Sequence, residues 1–224
     1  MTELVTANQE TARGAVPTPR SVRTVHALAD LTAIFESIVN VVVLRRAVPG
    51  ELAPEVRQAI DQRSFTRLAV VAPGVSQQQL AALLPDLPWL ASDVHLWVEV
   101  LADLTGSERV GVRLATVETA MCPRLHVDHV TLRAVCTYGG PGTEYVANED
   151  VDRRWLGHAS RGMPDEDSGL LLRSRSVLAA SPGDLVLLKG EAWPDNAERG
   201  AVHRSPIASA AAPRLLLTLD PLSA

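Results

Sequence analysis

The sequence predicts an α+β fold in which helices at about 25–105 pack on the outside of a C-terminal β-barrel at about 107–222. Apolar residues recur at helical spacing before Gly106 and alternate with polar residues after it. Beyond Gly106, turn signals separate short apolar runs at regular intervals, a pattern typical of an all-β sandwich or barrel. At 224 residues, the chain is long enough to bury a sizeable core without disulfides or structural metals.

The N-terminal region begins with a tail and a first group of elements. Residues 1–20 are small, polar and proline-containing, and we expect them to be disordered because they offer too little apolar surface to offset the entropy of ordering. Apolar positions at 25–38 follow helical spacing. The β-branched run NVVVLRR at 40–46 predicts a strand, and the Pro49-Gly50 pair predicts a turn after it.

Three further helices are expected before the barrel, at 51–64, 76–87 and 91–106. Ser76 is suited to cap the second helix, and Gly106 is suited to end the third. The run RLAVVAP at 67–73 is ambiguous between strand and loop. These elements together predict that residues 21–106 form a helical N-terminal part that packs on the barrel.

The region 107–224 holds the strands of the predicted barrel. Turn residues in GGPG, SPGD and WPDN separate several of them. The strands are expected at 109–119, 126–138, 143–146, 173–179, 184–190, 201–205 and 214–220.

Composition and charge narrow the classes of function. The net charge of −5 gives no electrostatic reason to expect a nucleic acid or an anionic membrane as a partner. No apolar run approaches the roughly 18–20 residues that span a bilayer, and the first residues lack the apolar core of a signal peptide. Two cysteines are too few for a disulfide framework. We therefore expect a cytoplasmic location.

The segment CPRLHVDHVTLRAVCTYGGPGTEYV at 122–146 carries the most informative polar residues. In a strand, alternate residues share a face. On this pattern His126 and Asp128 point into the barrel, and His129 points outward. The inward face is then completed by Val130, Leu132, Ala134, Cys136 and Tyr138.

A His-x-Asp pair on one strand face can give two ligands to one cation. With His203, which lies on a later short strand, the set becomes a two-histidine, one-carboxylate triad that suits non-haem Fe(II) because it leaves coordination positions open. The alternative for His126 and Asp128 is a polar strand end without a metal. No catalytic residue is predicted beyond these ligands.

The last predicted strand places Arg214 and Thr218 on one face and three leucines on the other. The leucines can pack against the N-terminal helices, so Arg214 and Thr218 would face the barrel interior. A buried arginine requires an anionic partner, and its planar fork suits a carboxylate. The alternatives are a salt bridge within the protein or an arginine in water at the strand end.

Cys122 precedes His126 by four residues and offers a second version of the site. Together with His126, Asp128 and His203 it would form a closed four-ligand site, and a thiolate ligand favours zinc. The alternative is that Cys122 is a small buried apolar residue.

The order and spacing of His126, Asp128, His203 and Arg214 resemble the double-stranded β-helix dioxygenases that use Fe(II) and 2-oxoglutarate. PGDLVLLKG and GAVHRSP are similar to the segments around the distal histidine of that superfamily. This resemblance implies a jelly-roll, cupin-like barrel, with the triad holding iron and Arg214 holding the distal carboxylate of the cosubstrate. It also implies that Tyr138 can hydrogen-bond the cosubstrate, although core packing explains a buried tyrosine equally well.

At closer range DVDRRWLGH, LLKGEAWPDN, GAVHRSP and PRLLLTLD, together with the segment at 122–146, resemble the uncharacterised bacterial family known as domain of unknown function 1826. The resemblance covers most of the chain from about residue 25, and it implies a setting near zinc homeostasis. The sequence therefore predicts a 2-oxoglutarate-dependent oxygenase acting on an unknown substrate. Two alternatives stay open: a non-catalytic zinc-binding protein in which Cys122 joins the site, and a cupin-like module without a metal.

Overall fold

The computed structural model of the chain describes residues 20–62, 64–173, 176–207, 209 and 211–222. The expected disordered tail at 1–20 falls almost entirely outside these residues. Among the described residues, no helix combines the length and the apolar composition that crossing a membrane requires.

The fold is a mixed α+β arrangement built on two β-sheets. The larger sheet has seven strands in the order β1-β2-β8-β5-β10-β4-β3, antiparallel except for the β1–β2 pair, and the smaller sheet has the order β7-β6-β9. The strands are β1 Val22–Val25, β2 Val41–Leu44, β3 Thr66–Val71, β4 Arg109–Val117, β5 Leu132–Gly139, β6 Glu144–Val146, β7 Val177–Ala179, β8 Leu185–Lys189, β9 Val202–Arg204 and β10 Arg214–Leu222.

The helices precede most of the strands, as the periodicity predicts. They are α1 Leu52–Asp61, α2 Ser76–Leu83 and α3 Pro88–Thr105, with a 3₁₀ helix at Leu28–Phe35 and short 3₁₀ turns at Asn148–Asp150, Arg153–Trp155 and Gly157–Ser160. Pro88 starts α3 because its fixed φ suits the first helical position, and Gly106 ends it in the left-handed conformation. Ser76 is not a cap: it is the first helical residue, and its hydroxyl donates to Glu99.

The larger sheet is covered on both faces. One face of β10 carries Leu215, Leu217 and Leu219, which pack toward the helices. There they join a core that includes Trp97 of α3. Val135 and Leu216 lie on the other face and pack with Tyr145 of the smaller sheet. The described strands thus form two facing sheets, and neither sheet closes on itself.

The strand expected at 126–138 is shorter than its alternation suggests. Only Leu132–Gly139 is a strand, His126 makes an isolated bridge, and 127–131 is irregular. Gly190 permits this path because a Cβ at that position would overlap the carbonyl oxygen of Val130. Alternation therefore cannot be carried from β5 back to His126.

The N-terminal part is less helical than expected. Its strands β1 and β2 extend one side of the larger sheet, and β3, which the sequence left ambiguous, forms the opposite edge. The strand expected at 173–179 is β7, and residues 174 and 175 lie outside the described residues.

Candidate metal centre

The site is built on a direct backbone contact between His126 and His203. Each residue donates its amide hydrogen to the carbonyl oxygen of the other, with both N–O distances at 3.0 Å. This pair forms an antiparallel bridge that places the two side chains next to each other, with ring centroids 4.5 Å apart. The backbone itself therefore fixes the spacing of the two histidines.

Both imidazoles are oriented in the same way by main-chain carbonyls. Nδ1 of His126 lies 2.9 Å from the carbonyl oxygen of Arg124, and Nδ1 of His203 lies 3.0 Å from that of Ala201. A carbonyl can only accept, so each Nδ1 must be the donor. Nε2 then carries the lone pair that can bind a metal when the ring is neutral, and it donates to Asp128 when the ring is protonated. Such outer contacts are common for metal-binding histidines.

Asp128 completes the set. Its Oδ1 lies 3.4 Å from Nε2 of His126, and its Oδ2 lies 3.4 Å from Nε2 of His203. One ligand atom from each of the three residues lies within 4.8 Å of the others. Burial alone would raise the pKa of Asp128, but hydrogen bonds from the two histidines and the charge of Arg133 hold it well below its usual value. The hydrogen bond to Asp128 in turn raises the pKa of His126.

The loop that carries Asp128 is anchored on both sides. Before the triad, the amide of Leu125 donates to the buried carboxylate of Asp165 at 2.7 Å. After it, the carbonyl oxygen of Asp128 accepts from the amide of Glu191 at 3.0 Å, beside the close contact that Gly190 allows. Hydrogen bonds to the backbone thus fix the path of this irregular segment on both sides of Asp128.

A cavity of about 100 Å³ lies beside the two histidines, between the two sheets. Its walls combine apolar, hydroxyl and guanidinium groups. It is lined by Arg113, Met121, Cys122, His126, Arg133, Val135, Thr143, His203, Arg204, Ser205, Leu216 and Thr218.

Cys122 lies at this cavity but not in the ligand cluster. It is an exposed free cysteine, and among the described residues the cluster of ligand atoms consists of His126, Asp128 and His203 alone. The structure therefore brings together the three-residue set without Cys122.

Arg214 lies at the start of β10, on the face of the larger sheet that also carries Thr218. The residue is 1 % exposed, and Nη2 donates to the hydroxyls of Thr137 and Thr143 at 3.1 and 3.3 Å. Its Nε has no hydrogen-bond partner, and no carboxylate of the described residues forms a salt bridge with it. Burial lowers the pKa of Arg214 to about 10, against a smaller opposing contribution from the charge of Glu144. The guanidinium is thus a buried cation that no carboxylate of the described residues contacts directly, and such a charge is costly without a paired anion.

Tyr138 does not contribute to this site, contrary to the expectation from the sequence. It lies with Leu132 and Cys136 on the face of β5 that packs against the helices, and its hydroxyl donates to Asp93 of α3 at 2.7 Å. The same carboxylate accepts from Arg46 and from the indole of Trp97. The irregular residues before β5 cause the error, because they break the alternation that linked Tyr138 to His126.

The opposite face of β5 carries two residues that are not part of the inward face predicted from the alternation. Arg133 lines the cavity and donates to Asp128, and Thr137 contacts Arg214. The available signal was a charged residue between Leu132 and Ala134 in an otherwise apolar run, since a buried strand tolerates a charge only where it has a partner.

Comparison with known proteins gives one extensive match. A family model described as a protein of unknown function, DUF1826, matches residues 26–220. No curated protein matches the sequence.

Several solved structures are similar at low sequence identity. A dioxygenase for auxin oxidation in rice is 14 % identical, with 90 % of this chain and 83 % of that chain covered and a TM-score of 0.49. A prolyl-4-hydroxylase of Pseudomonas putida is 16 % identical over 88 % and 100 % of the two chains, with a TM-score of 0.42. A bsmA homolog from Methylobium petroleophilum is 13 % identical over 89 % and 94 %, with a TM-score of 0.49.

At TM-scores below 0.5 these similarities support no conclusion about activity. The family model, in contrast, extends from the first 3₁₀ helix to the last strand. The chain therefore belongs to the DUF1826 family of proteins of unknown function.

Proposed function

We propose that this chain is a non-haem oxygenase that uses Fe(II) and 2-oxoglutarate and has a double-stranded β-helix fold. The observation that carries the proposal is the pairing of a three-ligand cluster with a buried, unpaired arginine on the same side of the larger sheet. The two facing sheets fit the proposed fold, and residues of both sheets line the cavity beside the two histidines.

The ligand set fits Fe(II). Two imidazole Nε2 atoms and one carboxylate oxygen would occupy one side of the ion, and a two-histidine, one-carboxylate set with open positions suits non-haem Fe(II). Bound Fe(II) and 2-oxoglutarate would supply dioxygen activation coupled to oxidative decarboxylation. The protein's own contribution is to hold His126, Asp128 and His203 in a fixed geometry and to keep water out of the space between the sheets.

Arg214 fits the role of cosubstrate anchor. A dicarboxylate that reaches it would provide the missing anion, and a guanidinium fork can bind a carboxylate through two hydrogen bonds. Thr137 and Thr143 orient the fork through Nη2, while Nε stays available. Thr218 lines the cavity and would contact the cosubstrate. We propose 2-oxoglutarate as this dicarboxylate and a cytoplasmic setting for the reaction.

The proposed iron site can be tested by anaerobic titration with Fe(II) and 2-oxoglutarate. The protein should bind one iron per chain and develop a visible charge-transfer band. His203→Ala should lose both, whereas His129→Ala should keep both, because His129 is exposed and lies outside the ligand cluster. Absence of the band and of succinate production in folded protein would contradict the proposal.

Metal analysis of a cysteine variant distinguishes the oxygenase from the zinc-binding alternative. A non-catalytic zinc protein would retain zinc through purification and would lose it in Cys122→Ala. For the oxygenase we expect Cys122→Ala to leave the metal content unchanged, because Cys122 is outside the cluster. Loss of bound metal in Cys122→Ala would favour zinc.

The role of Arg214 can be tested with two 2-oxo acids. Arg214→Met removes the guanidinium at similar volume and should weaken 2-oxoglutarate binding by ~30-fold or more, since losing one partner of a buried charge pair costs about 2–5 kcal/mol. Binding of 2-oxobutyrate, which lacks the distal carboxylate, should be the same in both proteins. Equal losses for the two acids, measured by calorimetry with the metal bound, would contradict the assignment.

A further inference from the structure

Arg133 connects the proposed metal ligand to a second carboxylate. Its Nη1 donates to Oδ2 of Asp128 at 2.6 Å. Its Nε and Nη2 donate to the two oxygens of Asp220 at 2.7 and 2.8 Å, a bidentate pair. All three side chains are largely shielded from solvent, with exposed fractions of 27 % for Arg133, 19 % for Asp128 and 31 % for Asp220.

The position of Arg133 follows from the sheet. It lies on the cavity face of β5, and Asp220 lies on the same face of β10, the neighbouring strand. The two ends of the guanidinium are therefore engaged by groups with different anchors: a strand residue on one side and the irregular loop at 127–131 on the other. Asp220 is fixed by its strand, so Arg133 orients the carboxylate of Asp128 in the loop.

This contact divides the two oxygens of Asp128. Oδ2 accepts a short hydrogen bond from a cation, which disfavours a second cation at the same oxygen. Each oxygen lies 3.4 Å from one histidine, Oδ1 from Nε2 of His126 and Oδ2 from Nε2 of His203, so the hydrogen bond from Arg133 to Oδ2 is what distinguishes them. A metal ion held by both histidines would therefore meet Asp128 through one oxygen only.

The positive charge of Arg133 is neutralised by a second carboxylate, that of Asp220. A single arginine next to a divalent metal would weaken metal binding, but Asp220 neutralises Arg133 through two hydrogen bonds. Arg113 provides the contrast, because it lines the same cavity and its guanidinium has one hydrogen bond among the described residues, to the sulfur of Met121.

We propose that Arg133, held by Asp220, is a positioning residue that restricts Asp128 to one metal-binding oxygen and so keeps three coordination positions of the metal open. This inference rests on the proposed metal centre and adds a reason why that centre can accept both a chelating cosubstrate and a third ligand. Without Arg133, Asp128 would bind through both oxygens and close one position.

Water bound to Mn(II) measures the open positions without requiring activity. The relaxation rate of solvent protons depends on how many water molecules the protein-bound Mn(II) coordinates. In Arg133→Met the enhancement should fall by roughly a third, because two waters would replace three. Arg113→Met, the matched control, removes a guanidinium from the same cavity and should keep the native enhancement.

Two further variants complete the test. Arg133→Lys keeps a cation and one donor, and it should restore most of the native value. Asp220→Asn loosens the anchor without removing Arg133, so it should give an intermediate fall, and it decides the matter if Arg133→Met does not fold. An unchanged enhancement in Arg133→Met, or in Asp220→Asn where Arg133→Met is unfolded, overturns the inference. Folded native protein that binds no Mn(II) would instead overturn the metal centre itself.

Discussion

Tyr138 and Arg214 belong to neighbouring strands, yet they face opposite sides of the larger sheet. Arg214 lies toward the cavity side with only hydroxyl partners, whereas Tyr138 lies toward the helices and donates to Asp93. Burial and nearby charges raise the pKa of Tyr138 well above its usual value, so it stays protonated and can only act as a structural donor here. Both residues are buried and polar, but only the arginine lacks a suitable partner.

Tyr138→Phe tests this division. The change removes one hydrogen bond while Asp93 keeps those from Arg46 and Trp97, so the free energy of unfolding should fall by about 1 kcal/mol. The affinity for 2-oxoglutarate should not change. Urea unfolding measures the free energy, and calorimetric titration measures the affinity. Weaker binding of 2-oxoglutarate with unchanged stability would show that Tyr138 contacts the cosubstrate.

At the scale of elements, the sequence predicts what depends on local pattern. The helices α1 to α3 and the strands β4 and β10 follow from periodicity, and Arg214 and Thr218 share a face of β10 as the alternation requires. The candidate metal ligands could also be predicted from sequence, because His-x-Asp and a later histidine are residue types that bind metals.

The elements that sequence could not predict depend on contacts between distant segments. His126 is placed by its backbone bridge to His203, not by the periodicity of its own strand. The residues between His126 and Leu132 are irregular, and their path depends on Gly190. The periodicity of the sequence does not encode these contacts. The prediction therefore assigned the two faces of β5 to the wrong sides of the sheet and missed Arg133.

The end of strand β8 carries a buried amine. Lys189 is 2 % exposed, its Nζ donates to the carbonyl oxygen of Glu36, and it lies 5.1 Å from the centre of the Trp193 ring. Burial, with a smaller contribution from Arg199, lowers the pKa of Lys189 to about 8 from a usual 10.5. The folded state therefore releases this proton at a lower pH than the unfolded state does.

This difference predicts a pH dependence of stability. Between about pH 8 and 10.5 the unfolded chain binds more protons at this position than the folded chain, so the contribution of Lys189 to stability rises with pH and is lost as pH falls through 8. Relative to Lys189→Met, the native chain should gain about 3 kcal/mol across this window. Chemical unfolding at both ends of the window measures the difference, and parallel curves for the two proteins would contradict it.

At the scale of the whole molecule, one core extends across the boundary that the sequence suggested at residue 106. Leu31, Val56 and Trp97 from the N-terminal part belong to the same cluster as Leu187 and Leu217 from the C-terminal part. Strands β2 and β3 also pair with strands of the second part. The division at 106 thus separates elements that share a sheet and a core.

We therefore expect the chain to unfold as a unit. A fragment of residues 107–224 would expose the leucine face of β10 and leave β4 and β8 unpaired along one edge, so it should not fold alone. Calorimetry of the full chain should show one cooperative transition. A cooperative transition in the isolated fragment, or two transitions in the full chain, would show that the parts are independent.

The bridge between His126 and His203 also determines when the site can exist. During synthesis His126 and Asp128 leave the ribosome long before His203, and pairings between residues so distant along the chain form late in folding. A nascent chain therefore offers a metal only part of the ligand set. In the folded chain, main-chain hydrogen bonds hold both rings in register. For the proposed metal centre, loading would then follow folding, and the choice of metal would depend on which ions the folded protein meets.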